Sequence, residues 1–132
     1  MSDTQVMLVD DEEFIREAVE IYFQTREVKI LCVPGGEECL RHLEAGFRGV
    51  ILMDVMMPRM DGWDTICEIV RRGLHAGNAI IMLTALDEPD ERMEGLQEYV
   101  IDYLAKPFDP EALLEAVTYY LSLLGAGNAG DV

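Results

Sequence analysis

Apolar residues are distributed along this chain in two alternating rhythms. Short runs with little or no polar face occupy residues 5–9, 28–33, 49–53, 79–83 and 101–104. Runs this short and this apolar read as strands buried on both faces, as in a parallel sheet covered by helices. Between them the apolar positions recur at helical spacing. The sets are Ile15, Ala18, Val19 and Tyr22; Cys39, Leu40 and Leu43; Ile66, Ile69 and Val70; Met93, Leu96 and Tyr99. A last set comprises Leu113, Leu114, Val117, Tyr120, Leu121 and Leu124. Pro34-Gly35-Gly36, Gly46 and Gly73 punctuate the pattern, and Asp61-Gly62 is a turn signal before the helix that starts near Trp63. Asp109 caps the last helix with Pro110 at its first position, where proline fits.

Strand and helix alternate five times, which predicts an α/β fold with right-handed crossovers and helices on both faces of the sheet. The fourth helix, opening at Asp87-Glu88-Pro89-Asp90, is acidic and irregular. Residues 125–132 are small and glycine-rich, and are expected to form a flexible tail or the start of a linker after a single domain of residues 1–124.

Charge narrows the function. The 132 residues carry 10 Lys and Arg against 26 Asp and Glu, a formal charge of −16. Such a surface repels nucleic acid and anionic membrane and favours cations and basic partners. Cys32, Cys39 and Cys67 are odd in number and form no C-x-x-C pair, so they read as ordinary thiols in a reducing compartment. No signal peptide and no run of membrane-spanning length is evident, and the expectation is a cytoplasmic protein.

The chemistry lies where strands end. The first strand delivers Asp10 and Asp11, the third Asp54, the fourth Thr84 and the fifth Lys106. In a parallel sheet these converge on the carboxyl edge, where open α/β sheets place their ligands. Carboxylates brought this close repel one another unless a cation joins them. Hard oxygen ligands in small number suit Mg²⁺, which keeps several waters and shares its site with a phosphoryl group. Lys106 adds a point charge and Thr84 a hydroxyl, so the set can hold a transferring phosphoryl group with Asp54 as the attacking oxygen.

Four stretches carry a resemblance: Val9-Asp10-Asp11-Glu12, Asp54 through Pro58 to Asp61-Gly62, Leu83-Thr84-Ala85, and Tyr103-Leu104-Ala105-Lys106-Pro107-Phe108. In that order and spacing the chain resembles the receiver domains of two-component response regulators, the family that includes the chemotaxis protein CheY. The resemblance implies a flavodoxin-like sheet of order 2-1-3-4-5, which is also the order the general rule for doubly wound folds gives for CheY. It implies that Asp54 accepts a phosphoryl group from a phosphohistidine on a sensor histidine kinase or phosphotransfer protein. Asp11, Asp54 and the Met56 backbone carbonyl would ligate Mg²⁺ or Mn²⁺, with Asp10 acting through water. Lys106 would pair with the phosphoryl oxygens, and its bond to Pro107 is expected to be cis. Thr84 and Tyr103 would switch together, repacking the face of the fourth helix, fifth strand and fifth helix. A downstream effector or a fused output domain would read that face.

Each signal has a plainer reading. Asp10-Asp11-Glu12 alone is a solvated helix start, Lys106 alone a surface lysine, and Tyr103 a half-buried packing residue. Met53, Met56, Met57 and Met60 suit gap filling better than a soft metal. His42 and His75 lack partners at ligand spacing and are expected at the surface. Trp63 is expected to pack at its helix start.

Two departures from the family pattern stand out. Val100-Ile101 replace the Gly-Ala common before the fifth strand. Met56 and Leu86, two residues beyond Asp54 and Thr84, cannot orient a hydrolytic water, which predicts a long-lived phosphoryl-aspartate.

Two other functions compete. A phosphatase of the haloacid dehalogenase type needs a second acid where Met56 stands. A flavodoxin-like nucleotide or flavin module needs a phosphate-cradling loop where the Asp10–Glu13 acids stand. Within the receiver reading, a stand-alone protein and a module of a longer regulator or hybrid kinase both fit.

Overall fold

The computed structural model describes residues 4–85 and 95–130. Five strands form one parallel sheet of order β2-β1-β3-β4-β5. They are β1 Val6–Val9, β2 Leu31–Val33, β3 Val50–Asp54, β4 Ala79–Thr84 and β5 Val100–Ala105. Among the described residues the helices are α1 Glu13–Thr25, α2 Gly36–Glu44, α3 Gly62–Arg71 and α4 Pro110–Gly130, with a 3-10 turn at Gln97–Tyr99. This is the α/β architecture and strand order expected. Most of the helix anticipated from Asp87, with Leu86, falls on residues 86–94, outside the described residues; its expected end is not α-helix, since residues 95–96 form a turn that leads into the 3-10 element Gln97–Tyr99.

Strand alternation builds the core. Successive side chains point to opposite faces of a sheet. Met7, Val9, Ile51, Met53, Ile80 and Met82 therefore pack on one face, against Cys39, Leu40 and Leu43 of α2 and Ile66 and Ile69 of α3. Val6, Leu8, Val50, Leu52, Ile81 and Leu83 pack on the other, against Val19 and Phe23 of α1 and Leu113 and Val117 of α4. Both faces of β1, β3 and β4 are covered, which is why these strands carry no polar alternation.

Three boundaries differ from expectation. β2 begins at Leu31, three residues later than its apolar run, because it pairs only with the short β1, from Met7↔Leu31 to Val9↔Val33. Val28 and Ile30 lie outside the ladder, half-buried and packed against the core layer that holds α1 and α4. β5 begins one residue earlier than expected, at Val100, which pairs with Ile80. α4 continues as helix past Leu124, its last expected apolar position, to Gly130.

Candidate functional site

The site forms because four strands, β1, β3, β4 and β5, end level with one another. Val9 pairs with Met53, Asp54 with Leu83, and Thr84 with Ala105. The residues just inside or beyond these pairs, Asp10, Asp54, Thr84 and Lys106, share the carboxyl edge.

Asp10 is fully buried and held at every polar group. Its N–H donates to the Val33 carbonyl at 3.1 Å. Oδ1 accepts from the Glu12 N–H at 2.9 Å, Oδ2 accepts from Lys106 Nζ at 3.2 Å, and the carbonyl accepts from Arg16 Nη1 at 2.7 Å. Asp54, 1 % exposed, receives the Met56 N–H on Oδ1 at 3.2 Å. Its Oδ2 lies 3.2 Å from Lys106 Nζ, an ion-pair distance, yet it accepts no well-directed hydrogen bond among the described residues. Asp11 is exposed. One oxygen from each of Asp10, Asp11 and Asp54 lies within 4.8 Å of the others.

Electrostatics here are unbalanced. Burial pushes the Asp54 carboxyl up to about 6, and the neighbouring Asp10 pushes in the same direction against the pull of Lys106. Burial alone would lower the Lys106 ammonium, but Asp54 and Asp10 hold it above its ordinary value. Lys106 pairs with Asp10 and Asp54, and Asp11 adds a third carboxylate beside them. An inward-facing carboxylate oxygen without a donor, beside two more carboxylates, fits a small hard cation.

The loop after β3 supports this edge from below. Asp61 caps α3 through a reciprocal pair: its Oδ1 accepts the Asp64 N–H at 2.9 Å, and Asp64 Oδ2 accepts the Asp61 N–H at 3.1 Å. Gly62 then passes directly under Asp54. A Cβ there would fall 2.6 Å from the Asp54 carbonyl oxygen, so glycine is required by close approach. Arg59 holds φ +67°, a left-handed conformation that suits Gly or Asn better than arginine.

The remaining expected residues are placed as follows. Met56 is 63 % exposed at the rim. Thr84 ends β4, and its carbonyl accepts the Lys106 N–H at 2.9 Å. Tyr103 is 40 % exposed on the edge strand β5. The Lys106–Pro107 peptide is cis. Beside Asp54 and Lys106 opens a cavity of about 620 Å³, walled by Ile15, Phe14, Pro107 and Phe108. Trp63 is buried in the core, and His42 is exposed. His75, expected at the surface, is half-buried edge-on to Tyr99, with ring centroids 5.1 Å apart. Sequence reasoning passed over Arg16 and the Asp61–Asp64 cap. The cap was legible as an acid three residues beyond an N-cap acid. Arg16 was visible as a cation near a helix N-terminus, where the macrodipole disfavours it.

With this geometry established, the comparisons with known proteins are decisive. The model of the response regulator receiver domain matches residues 6–118. The chain belongs to that family. Among curated relatives, the probable transcriptional regulator ycf27 of Pyropia yezoensis is 35 % identical over 97 % of this chain and 54 % of its own length. The transcriptional regulatory protein ResD of Bacillus subtilis is 34 % identical over 86 % of this chain and 46 % of its own. The chain thus spans about half the length of these relatives. A CheY-like receiver domain from Methanospirillum hungatei superposes with a TM-score of 0.87 at 46 % identity, covering 92 % of this chain and 97 % of that one. The chemotaxis protein CheY4 of Vibrio cholerae gives 0.77 at 30 % identity, covering 91 % and 100 %. As a receiver of two-component systems, the chain belongs to a family whose acidic aspartate cluster binds Mg²⁺ and whose members are generally not turnover enzymes. Among the described residues no helix is long and apolar enough to cross a membrane.

Proposed function

We propose that Asp54 is the phosphoacceptor and that residues 1–124 form the receiver unit around it, with 125–132 as a tail or linker. The observation that carries this reading is Asp54 Oδ2: buried, aimed into an acidic edge, and faced by one ammonium. In the transfer, a carboxylate oxygen of Asp54 attacks phosphorus of a phosphohistidine. The P–N bond breaks, an acyl phosphate forms, and the imidazole leaves with the bonding pair and takes up a proton. Asp11, Asp54 and the Met56 carbonyl would hold Mg²⁺, with Asp10 linked through water. When bound, the ion neutralises carboxylate and phosphoryl charge.

The protein's own groups do the rest. Lys106 Nζ, already 3.2 Å from both Asp10 and Asp54, is placed to follow the charge onto the phosphoryl oxygens. Thr84 and Tyr103 would then favour the second of two packings, because the phosphoryl group binds that one better. The phosphodonor is a sensor histidine kinase or phosphotransfer protein in the cytoplasm. An effector protein or a fused output domain reads the change, without direct contact of this unit with nucleic acid or membrane.

The test is intact-mass measurement after incubation with phosphoramidate or acetyl phosphate and Mg²⁺. One phosphoryl group should appear, labile to base, and Asp54→Asn should gain none. No gain in the wild type, or the same gain in Asp54→Asn, overturns the assignment. Met56 and Leu86 would make the phosphoryl-aspartate long-lived. A Met56→Asn, Leu86→Glu variant should lose it faster, and an unchanged or slower loss rejects that role.

A further inference from the structure

We infer that Arg16 is a positioning residue for the acidic edge, holding the β1–α1 turn so that Asp10 and Asp11 meet Asp54; this rests on the phosphoacceptor reading above. A basic residue three positions into α1 is unfavourable on local grounds, since the helix macrodipole puts partial positive charge there. Glu12, Glu13 and Glu17 around it follow the ordinary preference. Arg16 departs from that preference and makes one tight tertiary contact: Nη1 donates to the Asp10 carbonyl at 2.7 Å. Side chains on a helix tilt toward its N-terminus, which aims Arg16 back at the turn it ties.

The turn needs tying. Between the end of β1 at Val9 and the start of α1 at Glu13, three consecutive acids leave the sheet, and two of them contribute oxygens within 4.8 Å of Asp54. Mutual repulsion drives such a turn to splay outward. The Asp10 side chain is held by Glu12 and Lys106 and its N–H by Val33, and the carbonyl completes the set only through Arg16. The guanidinium donates to a backbone carbonyl and not to a carboxylate oxygen. It therefore adds no donor that a cation must displace.

This role predicts a sign opposite to that of simple charge. Removing a cation beside an acidic site should tighten Mg²⁺ binding by electrostatics alone. Removing a residue that orients ligands should weaken it, typically tenfold or more. In Arg16→Met, which keeps the apolar stem, Mg²⁺ affinity by calorimetry should fall about tenfold, while phosphorylation by phosphoramidate at saturating Mg²⁺ recovers to within about twofold of wild type. Arg16→Lys, which keeps a donor, should restore most of the affinity. In metal-free protein, exchange of the Glu12 amide hydrogen should accelerate in Arg16→Met and not in Arg16→Lys, because that N–H reports the Asp10 side chain. Unchanged or tighter Mg²⁺ binding in Arg16→Met, with wild type binding normally, refutes the role of Arg16 and leaves the receiver reading intact. Wild type that neither binds Mg²⁺ nor gains phosphate refutes both. Equal weakening in Arg16→Met and Arg16→Lys also refutes it, since a hydrogen-bonding tie should be rescued by lysine.

Discussion

Neutralising Asp54 should make the metal-free protein more stable. Asp54 is buried with one ammonium and two neighbouring carboxylates, and folding raises its pKa from 3.8 to about 6. The folded protein therefore binds this proton more tightly than the unfolded chain does. The corresponding stability is fully present below about 3.8 and is lost as pH rises through about 6. At neutral pH the loss corresponds to roughly two pH units, or about 3 kcal/mol. Local relaxation and water entry reduce what is realised, and about 1.5–3 kcal/mol is the working range. Asparagine removes the charge and keeps the shape. Its oxygen still accepts the Met56 N–H, and Lys106 keeps Asp10.

Asp54→Asn should therefore melt higher than wild type in chelator at neutral pH. At about 3 °C per kcal/mol for a chain of this length, the rise is about 4–9 °C. The assay is thermal unfolding followed by circular dichroism, repeated down the pH scale. The gap should close as pH falls through about 6 toward 3.8, because wild type gains the proton that asparagine makes unnecessary. Saturating Mg²⁺ should also narrow it, since a ligand at a hundred times its Kd adds about 2.7 kcal/mol to the form that binds it. A melting temperature equal to or below that of wild type, or a gap that ignores pH, would show that Asp54 is not held against electrostatic strain.

Three further outcomes follow from the same contacts. Lys106→Met should destabilise metal-free protein by about 2–4 kcal/mol, as it leaves two buried carboxylates unpaired; adding Asp54→Asn should recover part of this in a double-mutant cycle. Gly62→Ala should cost about 2 kcal/mol and slow phosphorylation of Asp54 in the mass assay, since the new methyl presses on the Asp54 carbonyl. Arg59→Gly should be neutral to stabilising by about 0.5 kcal/mol, relief of the left-handed backbone outweighing the glycine entropy, whereas Arg59→Val should cost about 1 kcal/mol or more; denaturant midpoints compare them.

The sequence carried the strand cores and the site edge because both depend on simple periodicity and on strand ends. It carried boundaries less well where local forces decide them. The extent of β2 is set by the length of its partner β1, and nothing in residues 28–33 encodes that. The continuation of α4 to Gly130 runs through Gly125, Gly127 and Gly130, which helix propensity disfavours, so local preference pointed away from it. His75 is half-buried because Tyr99, distant in sequence, folds against it, and no spacing rule links the two.

The same periodicity explains why adjacent aspartates have different fates. Leu8, Leu52 and Leu104 all face the layer covered by α1 and α4. Counting two residues on from each gives Asp10, Asp54 and Lys106, so strand parity alone sends these three side chains to one face. That face is where Lys106 bridges the two carboxylates at 3.2 Å each. Asp11 has the opposite parity and stands exposed, and it joins the cluster because the chain turns there. A buried pair bridged by an ammonium is thus dictated by register, whereas the third carboxylate depends on the shape of one turn. The turn is the part of the site most open to a single substitution, and Arg16 is the residue bonded to it from outside.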